Sequence, residues 1–456
     1  MINNVNLTEG KIRSALVKLA LPIMGTSFIQ MAYNLTDIMW LGRLSTDAVA
    51  AAGAAGYFLW IGSALVMIAQ VGVGVKVAHS YGKGDLESAK NYINNGFQLN
   101  LLIAIIYSLS LYIFRHQIIG FFNIEDENVV KMAVEYLTII SIGITFHFLN
   151  PVFSVILNST GNSITPFKTN TIGLIANIVI DPLLIFGLGP LPALGIKGAA
   201  LATIMSQFFV TIIFLIVGKK YDTIYSSAKL FNKPNLQIVK NIVKIGFPAF
   251  VQVGIHAGIS IVITRILAVF GPVAIAVQSI GSQIESISWM TAEGFSGAIS
   301  AFVGQNYGAG KIKRIKEGYK KGIEIIGGIG IFATILLILG AEPLFTLFTP
   351  NDPTAIKEGV IYLRILGLSQ FLMTIEIGTT GAFNGLGKTI YPTLNGIVLN
   401  VLRIPAALIL SKTVLGLSGV WWAITISSNL KGLVLFILFY FYWNYFEGKQ
   451  NIEILY

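Results

Sequence analysis

Two acidic residues interrupt long apolar runs in the first half of the chain. Asp37 lies in MAYNLTDIMW, residues 31–40, and Asp181 lies in NIVIDP, residues 177–182. An ionised acid at mid-membrane costs at least about 2.5–3.5 kcal/mol. No Lys or Arg lies within the predicted core of the first six apolar segments to pair with Asp37. An unpaired acid there should carry a proton or hold a cation, which predicts a site for a coupling ion.

Other polar side chains recur at helical spacing around these acids. They are Gln30, Tyr33, Asn34, Asn150, Asn177 and Thr203. Steps of three and four residues put those of one segment on a single helical face. Several polar faces in one bundle cannot all point to lipid, so we expect a hydrated pocket in the N-terminal half. The alternative is that the amides and hydroxyls only form hydrogen bonds between helices.

The second half carries a different set of polar residues. The candidates for a cavity there are Gln252, His256, Gln278, Ser282, Glu285, Trp289, Glu293 and Glu376. Acids beside an aromatic side chain can attract a cation by charge and by cation–π interaction. The alternative is structural, because Arg265, Arg364, Arg403 and Lys431 could neutralise some of these acids. His256 fits either a titrating group or a neutral core histidine.

Composition identifies the elements that must position these residues. The 456 residues are 54% hydrophobic and 11% charged, with no Cys and a mean hydropathy of +0.75. Such a chain is typical of an all-α polytopic membrane protein. Segments of about 20 or more apolar residues can cross the bilayer. The twelve predicted spans are 15–42, 46–76, 94–115, 131–158, 166–188, 194–218, 240–270, 273–303, 319–341, 356–384, 390–411 and 416–444.

Charge and the N-terminal sequence predict the location of the chain. Lys and Arg concentrate in the loops on the side of the two termini, which predicts cytoplasmic termini in a cell membrane. The net charge of +10 is then explained by this bias, without nucleic-acid binding. We expect no cleaved signal peptide, because the start of the chain is polar and the first span begins near Ala15. The absence of Cys excludes disulfides and thiolate metal sites.

The chain contains an internal repeat with an offset of 226 residues. Tyr81 and Tyr307, Pro22 and Pro248, Gly161 and Gly387, and Pro166 and Pro392 occupy matching motifs. Two homologous six-helix halves follow, and they have the same orientation. The predicted domains are an N-terminal lobe at 1–218, a cytoplasmic linker at 219–239 and a C-terminal lobe at 240–456. The acids are not duplicated, since the offset places Ile263 opposite Asp37.

Five segments of the chain together resemble the multidrug and toxic compound extrusion (MATE) antiporters. They are LPIMGTSFIQMAYNLTDIMWLGRL, NSTGNSITP, NIVIDPLLIFGLG, LGIKGAALATIMSQ and GAFNGLGKT. The resemblance is greater to the DinF-like prokaryotic branch than to the NorM branch. The resemblance covers nearly the whole chain. It implies a V-shaped two-lobe fold that exports amphipathic organic cations in exchange for H⁺ or Na⁺. The implied ion site is Asp37, Asn177, Asp181 and Thr203, with Tyr33 and Asn150 nearby. The implied bending prolines of the first and seventh helices are Pro22 and Pro248.

The chain departs from the family pattern at two positions, and other functions remain as alternatives. His256 stands where NorM-type members carry a Glu, and Glu376 is displaced from their tenth-helix acid. A flippase for lipid-linked precursors would need a more cationic groove, and a channel would conduct ions without drug dependence. No HExxH, GxSxG or GxxxxGK[ST] motif supports an enzyme. We expect a monomer without cofactors, with no metal other than Na⁺, and the residues leave H⁺ and Na⁺ both open.

Overall fold

The computed structural model describes residues 4–187, 192–220, 223–226 and 232–453, and these are helical apart from short connections. Parts of the predicted linker, at 221–222 and 227–231, lie outside the described residues, as do the chain ends at 1–3 and 454–456. The helices are α1 Ile12–Leu44, α2 Thr46–Lys83, α3 Leu86–Gly120, α4 Glu127–Ser159, α5 Ile164–Ile185, α6 Ile196–Lys220, α7 Leu236–Ala268, α8 Pro272–Gly308, α9 Ile312–Leu339, α10 Ala341–Thr346, α11 Pro353–Gly367, α12 Gln370–Gly385, α13 Ile390–Val401, α14 Arg403–Leu410 and α15 Leu417–Glu453.

The prediction of an all-helical membrane fold is confirmed, and each predicted span coincides with one helix or with two consecutive helices. Among the described residues, ten helices are long and apolar enough to cross a membrane, or eleven if α11 and α12 form one span bent by 50°. The predicted eighth span is α8, a continuous helix of 37 residues. It is not among the ten because its face carries Gln278, Glu285, Glu293 and several serines.

Local sequence determines where several helices begin and end. Ser45 caps α2 by accepting a hydrogen bond from the backbone N–H of Ala48, and Asp126 caps α4 in the same way. The duplicated glycines adopt left-handed backbone angles in both halves, with φ of +90° at Gly161 and +71° at Gly387. An L side chain rarely adopts this conformation, which explains why the repeat keeps glycine at both positions.

Contacts between Cα atoms divide the chain into two units. The first unit comprises the described residues within 1–8, 18–250 and 304–310, and the second comprises 9–17, 251–303 and 311–456. These bounds differ from those of the predicted lobes at 9–17, 240–250 and 304–310, and the first unit includes the described part of the predicted linker 219–239. The predicted domains therefore stay a prediction from the sequence repeat. Pro22 lies inside α1 and Pro248 inside α7, while their role in bending stays a prediction.

Each unit has its own apolar core. In the first unit α2 packs against α3 and α4, and α6 packs against α4 and α5. In the second unit α12 packs against α9 and α15, and Trp421 is fully buried beside Tyr362. The buried face of α5 decides the geometry of the polar site, since Gly173, Asn177 and Asp181 recur on it at four-residue steps.

Candidate functional site

The structure brings the two acids of the first half together. Asp37 on α1 interacts with the side chains of Asp181 and Asn177 on α5. The hydroxyl of Thr203 on α6 donates to Oδ2 of Asp37 over 3.4 Å and also lies 3.0 Å from the carbonyl oxygen of Ala199. Asp181 and Asn177 are fully buried. Three helices therefore supply the four residues Asp37, Asn177, Asp181 and Thr203, which we call the acid site.

Most polar atoms of the acid site are buried without a hydrogen bond. Among the described residues, no partner within hydrogen-bond geometry serves Oδ1 of Asp37, either oxygen of Asp181, or the amide atoms of Asn177. No ion pair within the described part of the chain includes either acid. Two adjacent carboxylates repel each other, and burial makes the repulsion stronger. The acid site is therefore suited to hold a shared proton or a small cation that prefers oxygen ligands.

Two tyrosines border the acid site. Tyr33 lies on α1 beside Ser206, and a Cβ added to Gly173 would come within 2.8 Å of the Tyr33 hydroxyl. Tyr136 on α4 is 4% exposed and lies near Asp37 and Asp181. Sequence reasoning missed Tyr136 and the buried hydroxyl of Ser206. Helical spacing contained a signal for both, because Tyr136 lies about four turns before Asn150 and Ser206 one turn after Thr203.

The remaining candidates of the first half do not join the acid site. Asn150 is 3% exposed, and its amide nitrogen donates to the side-chain oxygen of Gln207 over 2.8 Å. Its amide oxygen accepts from Thr211 over 2.8 Å. Asn150 therefore joins α4 to α6. Gln30 and Asn34 are exposed on α1. Asn150 thus fits the alternative of hydrogen bonds between helices, while a functional role of the polar residues around the acids stays a prediction.

In the second unit, Glu285 and Glu376 belong to a polar network. Oε2 of Glu285 accepts from the side chain of Gln370 over 3.3 Å, and Tyr362 lies beside this carboxylate. Glu376 forms an ion pair with Lys431 at 3.2 Å, with side chains 8% and 12% exposed. Lys431 and Arg403 thus lie among these acids, as the structural alternative predicted. Arg403 itself is 8% exposed and donates to Ser427 and Ser428.

The other candidates of the second half are more exposed. His256, Ser282, Trp289 and Glu293 are exposed on α7 and α8. Gln252 and Gln278 are half-buried and accept long hydrogen bonds from Thr393 and Thr264, each of 3.4 Å. The predicted set is thus divided into a network around the half-buried Glu285 and the buried Glu376 and an exposed group that includes His256 and Glu293. A role of the exposed group in substrate binding stays a prediction.

Comparisons with known proteins agree with this architecture. The family model described as MatE matches residues 22–183 and 248–409, two stretches that are offset by 226 residues. A Thermotoga maritima protein named "Probable multidrug resistance protein NorM" is 30% identical, over 90% of this chain and 88% of its own length. A Shewanella oneidensis protein named "FAD transporter" is 25% identical, over 95% of each chain.

Solved structures share the fold over nearly the whole length. A structure described as the outward-facing conformation of a multidrug resistance MATE family transporter of the MOP superfamily has a TM-score of 0.87 and 25% identity. The match covers 97% of this chain and 98% of that chain. A structure described as MATE in the bent conformation has a TM-score of 0.90 and 24% identity, with 98% of each chain covered. Among the relatives named above, the branch within the family is not distinguished, so the DinF-like assignment stays a prediction.

Proposed function

Since the chain belongs to the MatE family and is a membrane transporter rather than an enzyme, we propose that it is an antiporter that exports amphipathic organic cations in exchange for inward H⁺ or Na⁺. The observation that carries the proposal is the acid site, in which the half-buried Asp37 adjoins the fully buried Asp181 without a basic partner among the described residues. Monomeric action, cytoplasmic termini and the absence of a cofactor are parts of the same proposal.

The proposed cycle uses the acid site as a charge-dependent switch. Binding of H⁺ or Na⁺ at Asp37 and Asp181 removes the repulsion between the two carboxylates and draws α1 and α5 together. This change alters the bend of α1 near Pro22 and favours release of the drug on the outer side. The ion then dissociates when the site is exposed to the inner side. The protein thus alternates between two states that the ion and the drug bind with different affinity.

The energy available to the exchange depends on charge. One monovalent cation that moves inward along the membrane potential gains about 2.3 kcal/mol per 100 mV. A one-for-one exchange against a monovalent drug cation is electroneutral and uses only the concentration gradient of the ion. Two carboxylates in the acid site allow two charges per cycle, and such a cycle would also use the potential.

The charges of the second unit support cations rather than anions as substrates. Lys431 is neutralised by Glu376, and Arg403 donates to two serines within a buried network. A lipid-linked diphosphate, or a dinucleotide such as the substrate in the name of the Shewanella relative, would need accessible basic groups. The two buried bases are already engaged, whereas Arg265 and Arg364 are exposed on α7 and α11.

The test is drug efflux from proteoliposomes with independently imposed pH and Na⁺ gradients. Asp37→Asn should abolish gradient-driven efflux, because the amide has no titratable proton to exchange and no negative charge to hold Na⁺. Asp126→Asn is the matched control, since Asp126 is an exposed cap of α4 and Asn caps a helix equally well. Full gradient-driven transport by Asp37→Asn would refute the coupling role. Ion flux that does not depend on drug would indicate a channel instead.

A further inference from the structure

The last helix of the chain, α15, has a buried face and an exposed face. The buried face includes Trp421, Leu435, Phe439 and Trp443. The opposite face includes Ile426, Leu430, Leu433 and Ile437, which recur at steps of three and four residues. The helix is long and apolar enough to cross a membrane, so this exposed apolar face meets lipid.

The chemistry of the lipid-facing side changes towards the C-terminus. Every exposed residue from Ile426 to Leu438 is wholly apolar, with no hydroxyl, amide or charge. The next exposed residues are Tyr440, Phe441, Asn444 and Tyr445, and three of these four carry a hydroxyl or an amide. Amphipathic aromatic side chains concentrate at the boundary between membrane and water, where the ring lies in the apolar layer and the hydroxyl in the polar layer. The change therefore marks the point where α15 leaves the hydrocarbon.

The length of α15 fits a boundary at this point. The helix begins at Leu417, and Tyr440 lies 23 residues further along it. The rise between them is about 35 Å at about 1.5 Å per residue. A hydrocarbon core of about 30 Å is thus crossed before Tyr440, and the turns that continue to Glu453 lie beyond it.

The first repeat has another interfacial residue type at the equivalent position. Its LGIKG motif at 194–198 matches an LGLSG motif 221 residues later, at the start of α15. The same offset pairs Tyr440 with Lys219 and Phe441 with Lys220, and both lysines are exposed at the end of α6. Lysine at the end of a span extends its amine into the headgroup layer. Each repeat therefore ends its last span with interfacial residues, lysine in the first and aromatic in the second.

The aromatic end of α15 is fixed within the second unit. The ring of Phe439 lies 4.0 Å from that of Tyr319 on α9 and 5.1 Å from that of Phe383 on α12, measured between centroids. Further along, Lys316 forms an ion pair with Glu447 at 2.9 Å. The exposed rings therefore lie on a part of α15 that is packed against two other helices.

We propose that Tyr440 and Phe441 form an aromatic anchor, which binds the glycerol and headgroup layer of a phospholipid bilayer on the side of the C-terminus. The two side chains are 61% and 63% exposed and continue the lipid-facing side of the helix. The Phe441 ring lies at the edge of the hydrocarbon, and the Tyr440 hydroxyl donates to lipid ester or phosphate oxygens. Because α15 packs on α9 and α12, the anchor sets the depth of these helices in the membrane. This role does not depend on the proposed exchange of a drug for an ion.

Spin labels on either side of the aromatic anchor test where the membrane ends. The chain has no Cys, so Ile437→Cys and Asn444→Cys give single labelling sites on the exposed face, about one turn before and one turn after the anchor. The protein is placed in vesicles of phosphatidylethanolamine and phosphatidylglycerol. Oxygen should collide with the label at 437 several-fold more often than a water-soluble nickel chelate does, and the preference should be reversed at 444.

Two results of this measurement would overturn the proposal. A preference for oxygen at both sites would show that the hydrocarbon extends past Tyr440 and Phe441. Protection of either label from both reagents would show that protein covers this face, for example a second copy of the chain.

Substitution of the aromatic anchor tests whether it sets the depth. With the label at 444, Tyr440→Leu with Phe441→Leu lengthens the wholly apolar face, so the label should sink and collide at least about threefold less often with the nickel chelate. Tyr440→Lys with Phe441→Lys installs the residues of the first repeat and should keep the collision rate within about twofold. The matched control is Leu430→Ile with Leu433→Ile, which keeps the apolar length of the same face. Equal collision rates in the leucine and lysine variants would overturn the role of the anchor.

Discussion

The ion pair between Glu376 and Lys431 is buried, and its burial sets the loss of stability that we expect when one partner is removed. The Nζ–Oε2 distance is 3.2 Å, and the side chains are 12% exposed for Lys431 and 8% for Glu376. Removal of one partner from such a pair leaves an uncompensated buried charge, which costs about 3–5 kcal/mol. We therefore expect Lys431→Met to lower the free energy of unfolding by about 3 kcal/mol or more, which is over 100-fold in the unfolding equilibrium constant.

Replacing both partners should restore most of this stability. The double variant Glu376→Gln with Lys431→Met removes both charges, and replacing a buried pair in this way is often close to neutral. The first repeat supplies a precedent for an uncharged residue in place of the acid, since the offset of 226 places Asn150 at the position of Glu376. The assay is unfolding in mixed detergent micelles, followed by circular dichroism.

An exposed pair provides the matched control for this experiment. Lys321 and Glu324 approach to 2.7 Å, closer than the buried pair, but their side chains are 45% and 47% exposed. Lys321→Met should change the free energy of unfolding by less than about 1 kcal/mol, because solvent screens exposed charges. The reasoning would be refuted if Lys321→Met and Lys431→Met had equal effects, or if the losses of the two single variants at 376 and 431 simply added in the double variant.

Two further predictions concern a glycine and a helix cap. Gly173→Ala should slow ion-coupled efflux at least several-fold in a folded protein, because the new methyl would lie 2.3 Å from Val210 and 2.8 Å from the Tyr33 hydroxyl. Gly53→Ala is the control, because a Cβ there has no neighbour within 4 Å. Equal efflux rates of the two variants would contradict the prediction. Hydrogen bonds from Ser88 lower the pKa of Asp85, the cap of α3. Its contribution to stability should therefore be full above the ordinary carboxyl pKa of about 4 and be lost as pH falls through the lowered value. Thermal melting of the wild type and of Asp85→Asn between pH 3 and 7 should show that only the wild type loses this contribution to stability at low pH.

Periodicity predicted the helices and the faces of the acid site because both depend on local spacing. Asp37 and Asp181 were identifiable as charges in apolar runs, and the four-residue step put Asn177 beside Asp181. The break between α11 and α12 was not predicted, because the continuous apolar run there does not show a bend of 50°. For the basic partner of Glu376, the sequence offered several candidates and did not distinguish between them. Packing of α12 against α15 decides that it is Lys431, and sequence spacing carries no signal for such a contact.

Comparison of the two repeats explains why the negative charge of the acid site is not balanced by a base. Tyr136 and Tyr362 are equivalent by the offset of 226, and both are buried beside acids, so the scaffold was kept in both halves. The polar groups around them diverged. In the second half, Glu376 is balanced by Lys431.

The first half shows the opposite balance. Asn150 makes its hydrogen bonds to α6 without any charge, and no described base neutralises Asp37 or Asp181. The equivalent of Asp37 is Ile263, which is 2% exposed in the apolar core of the second unit. A bound cation would therefore balance excess charge in the first half but add excess charge to the second. For this reason Ile263→Asp should destabilise the fold rather than create a second ion site. A folded Ile263→Asp variant that binds the ion after Asp37 is replaced by Asn would contradict the assignment to Asp37.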